Sequence, residues 1–259
     1  MGNTNDVQSV EDEHIEPLFY PSRKLAMSAP FGWLRAGWND FKNAWKVSLI
    51  YGGSLVLLTY LLFWLGWGEG NTLILFSLVV GLILMGPLLA FGLYSISRQL
   101  QMGLKPQLGY CFKEGREHMR NEMLFALVML VVLLVWARAA SMVHVFFPIT
   151  DETGLLEWLQ FLAVGSAVGS IFAAIIFMAS AFALPMMLDT QKDAITSALT
   201  SVAAVLNNKG AMLVWALLIV FLMLLGTATG FIALALILPL IGHATWHAYR
   251  ETIVMEDAE

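Results

Sequence analysis

The chain has 259 residues, of which 59% are apolar and only 13% charged. A water-soluble domain of this length carries roughly twice that share of charge, so the composition excludes an ordinary soluble enzyme and points to a surface covered largely by lipid. The formal net charge of −5 mixes two sides of a membrane, and there is no basic patch for nucleic acid. The single cysteine, Cys111, excludes an intrachain disulfide and any cysteine cluster for a metal.

In chain order, residues 1–27 begin polar and acidic (Glu11, Asp12, Glu13, Glu16) and lack the apolar core of a signal peptide. They read as a disordered cytoplasmic tail. Phe31, Leu34, Trp38, Phe41 and Trp45 then recur at spacings of three and four, with Arg35, Asn39, Asp40, Lys42 and Asn43 between them. With Ser28 and Pro30 as cap and first turn, this pattern predicts an amphipathic helix lying on the membrane, its tryptophans at headgroup depth. Apolar runs follow at 47–67, 72–96, 123–147 and 159–188. Each matches the roughly 20 residues of helix needed to cross a hydrocarbon core.

The run 211–246 is too long for one upright span, since as a single helix it would extend roughly 54 Å. It is divided at 226–230 (GTATG), where glycines and threonines suit a turn. The rival is one tilted helix with a Gly-xxx-Gly contact face. Further surface helices are expected at 108–119 and 194–206, the latter with Ile195, Ala198, Leu199, Val202, Val205 and Leu206 on one face.

Charge decides the topology. Of the 14 Lys and Arg, all but Arg138 fall before span one, between spans two and three, between spans four and five, or after span six. Basic residues in short loops stay in the cytoplasm, so six spans with both termini cytoplasmic, in the bacterial inner membrane, are expected. The predicted architecture is an all-α membrane domain over 28–253, made of three hairpins each preceded by an interfacial helix, with an acidic tail at 254–259.

The three units share more than order. Each surface helix is expected to end at an Asn (Asn43, Asn121, Asn207), with Phe41, Met119 or Val205 two positions earlier and a small residue, Gly37, Gly115 or Ser201, six earlier. Each hairpin closes near a proline: Pro87, Pro185 and Pro239. This predicts approximate internal threefold symmetry.

Segments 28–41 (SAPFGWLRAGWNDF), 86–94 (GPLLAFGLY) and 242–250 (GHATWHAYR) resemble a proteobacterial family of predicted integral membrane proteins carrying a domain of unknown function. The likeness runs over about 20–253, and its last segment is the most specific. The resemblance implies an inner-membrane location and adds no activity.

Candidate sites are few. His243, His247 and Glu251 fall one turn apart on the final helix, beside Arg250. They form the leading ligand-contact candidate, with a phosphate or an adjacent protein preferred to a metal. Set against it is the commoner outcome, ring nitrogens bonded to water or backbone. Arg138 is an intramembrane charge, more simply read as reaching outward to Asp151, Glu152 or Glu157. Gly165, Gly169 and Ala173 form a helix-packing stripe, expected within the monomer rather than between copies. Asp189 is expected to cap the helix that follows it.

No cofactor or metal is expected, and the sequence contains no nucleotide-loop, hydrolase-elbow or metalloprotease motif. No Asp or Glu stands at mid-depth of a span, which speaks against a proton-coupled pump. The reading that remains is a non-enzymatic factor for assembly or organisation of other inner-membrane components, in contact with membrane lipids and other inner-membrane proteins. The alternative is a small permease or channel built from the three hairpins.

Overall fold

The computed structural model describes residues 18–68, 90–148, 150, 153–190 and 192–255. Among them the chain forms α1 (Ala29–Asn43), α2 (Trp45–Gly68), α3 (residues 90–101), α4 (Leu108–Phe146), α5 (Leu155–Ser180), α6 (Ala183–Thr190), α7 (Ala194–Asn207), α8 (Lys209–Ala228) and α9 (Leu234–Thr252). Four stretches are long and apolar enough to cross a membrane: Trp45–Trp64, Met119–Phe146, Leu155–Thr190 and Lys209–Ala228. Most of the expected second span, with Pro87, lies outside the described residues. The expected sixth span, α9, is not among the four, because its second half carries His243, Thr245, His247, Arg250 and Glu251.

The run 211–246 is two helices, which removes the single tilted helix as an alternative. After α8 the chain turns through Gly230 (φ +62°) and Phe231 (φ +70°). Gly230 N–H donates to Thr227 O and Phe231 N–H to Gly226 O, both at 3.0 Å. The left-handed backbone that glycine tolerates ends α8 there.

Two of the three predicted surface helices stand alone. α1 stops at Asn43 and α7 at Asn207, and each is followed by one non-helical residue before the next helix starts. The predicted helix 108–119 is instead the first part of α4, which runs unbroken for 39 residues. Gly115 alone does not interrupt it, and Asn121 lies mid-helix.

The faces of α1 and α7 differ from the expected stripes. On α1 the buried residues are Pro30, Trp33, Gly37, Asp40 and Phe41, and the helix packs on α9, whereas Phe31 and Trp38, with Trp45 at the start of α2, point outward. On α7 the buried set is Ser197, Thr200, Ser201, Ala204 and Val205, and Ile195, Leu199 and Leu206 face out. The small or polar members of these faces, Gly37 and Asp40 on α1 and most of the α7 set, permit close approach between helices. Bulky apolar residues cover the outside, as they do where lipid is the solvent.

Ser201 shows what that close approach achieves. Pro185 has no N–H to donate and disrupts the preceding turn, and the helix breaks at residues 181–182, between α5 and α6. Ser201 Oγ inserts into the break, accepting from Phe182 N–H at 3.0 Å and donating to Met178 O at 2.7 Å. A side chain inserted into the backbone ladder is a defined cause of a kink. Ser201→Ala would leave both backbone groups buried and unpaired, so a loss of about 1–3 kcal/mol is expected, read as a lower melting temperature of purified protein. Ser201→Thr, which keeps the hydroxyl, should recover part of it.

Asp193, not Asp189, caps α7. Its carboxylate accepts from Ile195 N–H at 2.9 Å and Thr196 N–H at 3.1 Å, and hydrogen bonding from Thr196 holds it below the usual carboxylate range. Asp189 lies inside α6 and pairs elsewhere.

Part of the expected tail is tied down. Tyr20 N–H donates to Thr200 Oγ1, and Leu25 N–H donates to Asn208 Oδ1. Lys24 Nζ reaches Asn207 O at 2.7 Å. Arg23 N–H donates to Thr252 O and Val254 N–H to Pro21 O. Residues 18–27 thus strap α7 to the end of α9, while 1–17 and 256–259 lie outside the described residues.

Candidate functional site

The predicted stripe on α9 is a hub of contacts between helices. Proline 239 frees the carbonyl of Ala235 from its ladder bond, and α2 packs into that space. An added Cβ on Gly52 would lie 2.1 Å from Ala235 O and 2.8 Å from Pro239 Cγ. One turn further on, α1 also approaches closely, with Gly37 against the backbone of Leu240 and Ala244.

This crowding places the histidines. His243 is fully buried, with Ser48 Oγ of α2 at 2.9 Å from Nε2 and Ser97 Oγ of α3 at 2.8 Å from Nδ1. His247 Nε2 lies 2.8 Å from Asp40 Oδ2 of α1. Glu251 Oε2 accepts from Trp33 Nε1 at 2.7 Å, and Trp33 stands edge-on to Trp215 of α8. Trp246 Nε1 donates to Gln101 Oε1 of α3 at 2.9 Å. The stripe therefore fastens α1, α2, α3 and α8 to α9.

Arg250 belongs to a second centre. Asp189 Oδ2 accepts from Arg250 Nη1 at 2.7 Å and from Tyr249 Oη at 3.0 Å, and Arg98 Nε stands 3.6 Å from Oδ1. At 3.6 Å the Arg98 contact is ionic rather than a hydrogen bond. Burial, followed by the Asp189 charge, pushes the Tyr249 hydroxyl upward. Arg98 also pairs with Glu114, which accepts from Ser95. Cys111 is buried beside Gln99 Nε2 at 3.4 Å, and burial raises its thiol.

Chemically, these arrangements hold elements together. Nucleophilic catalysis needs a serine whose histidine is oriented by a third group and reachable by substrate. Both His243 nitrogens meet serines, and the ring has no exposure. His247 has the carboxylate but no described hydroxyl on its ring. No cluster of three or more His, Cys, Asp or Glu among the described residues suits a metal.

The other predicted residues are not drawn into either centre. Arg138 is exposed on α4; its proposed partners Asp151 and Glu152 lie outside the described residues, and Glu157 instead accepts from Gly154 N–H at the start of α5. Around the stripe on α5 the described residues leave space. A Cβ on Gly165 meets nothing within 4 Å, one on Gly169 meets only Trp136 Nε1 at 3.9 Å, and Ala173 is exposed. Conversely, Asp40, Ser48, Ser97, Arg98 and Glu114 escaped the sequence reading. The only signal for them was polarity on helices that otherwise pack through apolar residues.

Residues 74–189 match the model of a family described as predicted integral membrane protein (DUF2189). The matched region covers the middle of the chain, not the whole of 20–253, and the segment 242–250 lies outside it. No curated protein and no solved structure matches the chain. With its apolar helices, the match makes this an integral membrane protein of unknown function.

Proposed function

We propose that the protein is a non-enzymatic organising or assembly factor of the bacterial inner membrane, acting on other membrane proteins and lipids. The observation that carries this reading is that the polar groups nearest to a site, His243, His247, Arg250 and Glu251, are each paired with another helix of the same chain. They hold a rigid collar rather than an open pocket for chemistry.

The six-span topology is part of the proposal, supported by the distribution of Lys and Arg and by the outward bulky faces of α1 and α7, which suit helices at the interface. Threefold organisation is supported by the order of contacts. α7 lies on α5 and α6, the start of α4 lies on α3 through Glu114 and Cys111, and α1 closes the circle on α9. Each surface helix thus rests on the return helix of the unit before it.

Periplasm-active reporters fused after Gly68, Thr153 and Thr227 should be active, and those fused after Gly103, Lys192 and Glu259 inactive. Activity at Glu259 would overturn the sixth span. For function, the test is affinity purification from native membranes. Protein partners recovered in fixed ratio support the organising role. Specific solute flux in proteoliposomes, with no such partner, would replace it with the permease of three hairpins.

A further inference from the structure

The inward face of α4 carries Cys111, Glu114, Gly115, Glu122, Phe125 and Ala126, all buried. The spacing is that of one helical face, and it sets two carboxyl groups inside the protein. Glu114 is compensated by Arg98 and Ser95. Glu122 is not. It is 2% exposed, and both its carboxyl oxygens are buried with no hydrogen-bond partner among the described residues.

Arg98 serves Glu114 and stands beside Asp189, and Arg250 serves Asp189. These two arginines balance those two acids, so neither is free for Glu122. Among the described residues, the ionisable groups that face this region are Tyr51 on α2, which lies within electrostatic range of Glu122, Cys111 and Tyr94, and Tyr94 and Arg98 on α3. Cys111 and Glu114 lie on α4 itself and Asp189 on α6, and α7 contributes no ionisable group. Apart from the two arginines already engaged, none of these is a cation. An ionised carboxylate buried without counter-charge costs several kcal/mol, and the usual escape is neutralisation. A small metal ion would need about six oxygen ligands, and the described neighbours do not supply them.

We propose that Glu122 is a proton-binding carboxyl of the membrane domain, held as the neutral acid at the start of the long apolar stretch of α4. Release of the proton places an uncompensated charge on the buried face of α4, so proton occupancy governs how tightly α4 packs on its neighbours. This goes beyond the organising role and does not depend on it.

The test uses the purified full chain in lipid nanodiscs. Dicyclohexylcarbodiimide adds to protonated carboxyls in apolar surroundings, and peptide mass spectrometry locates the adduct. Glu122 should be modified at neutral pH, progressively less as pH rises, while the paired Glu114 and Asp189 are not; Glu122→Gln should abolish the adduct. Protection by sodium at constant pH would overturn the proposal in favour of a metal-cation site. Absence of label from Glu122, while the exposed Glu157 is equally unlabelled or more labelled, would overturn it outright. Melting temperature provides the second reading. A group protonated when folded and ionised when unfolded binds more protons in the folded state, so raising pH lowers stability. The wild type should lose melting temperature relative to Glu122→Gln as pH rises through neutrality, and a parallel pH dependence in the two proteins would refute the assignment.

Discussion

Asp189→Ala is expected to destabilise the protein by about 3 kcal/mol, the lower end of what breaking a buried ion pair costs, because Asp189 keeps a little exposure. The carboxylate receives Arg250 and Tyr249 and stands beside Arg98, so its removal takes the acceptor from one largely buried hydroxyl and leaves the buried Arg98 with Glu114 as its remaining counter-charge. Arg250→Ala should cost under about 1 kcal/mol, since that side chain is 43% exposed and water solvates what remains. Asp189→Asn, which keeps an oxygen for Tyr249, should fall between the two. Thermal unfolding of purified protein followed by tryptophan fluorescence orders the three. If Arg250→Ala proved as costly as Asp189→Ala, the surface pair would be the important one and Arg98 would contribute nothing.

Asp189 also shows where reading the sequence stops. Its neighbourhood suggested a cap, because an acid just before an amphipathic segment suits a helix N-terminus. The local rule was right in kind, but Asp193 four residues later fulfils it. Helix positions, the division of 211–246 and the ends at Asn43 and Asn207 were legible because they depend on local periodicity and turn chemistry. Facing was not. Both faces of α1 are apolar, one toward α9 and one outward, so a count of bulky residues could not show that Trp33 and Asp40 lie inside while Phe31 and Trp38 lie outside. Partners such as Ser48 and Ser97 for His243 join segments 195 and 146 residues apart along the chain, a separation no local pattern encodes. Glu122 was passed over for a related reason. It follows the basic stretch Lys113–Arg120 closely enough to look like one more solvated charge, and only packing shows that it is buried.

The adjacent glycines Gly52 and Gly53 look interchangeable in the sequence, yet their alanine variants should behave oppositely. A Cβ on Gly53 meets none of the described residues within 4 Å, so Gly53→Ala should be neutral or stabilising by up to about 1 kcal/mol through helix propensity. A Cβ on Gly52 would lie 2.1 Å from Ala235 O, a backbone atom that cannot swing aside, and 2.8 Å from the ring of Pro239. The only relief is separation of α2 from α9. One turn along the same seam Ser48 meets His243, four residues from Gly52 and from Pro239 respectively, so that separation would also pull the buried imidazole from its partner. Overpacking of about 1–3 kcal/mol and loss of a buried hydrogen bond of similar size act together. Gly52→Ala should therefore lower stability by roughly 3 kcal/mol or more, read as loss of folded protein in the membrane fraction and a depressed melting temperature. Equal melting temperatures for the two variants would mean that α2 does not rest on the carbonyl freed by Pro239.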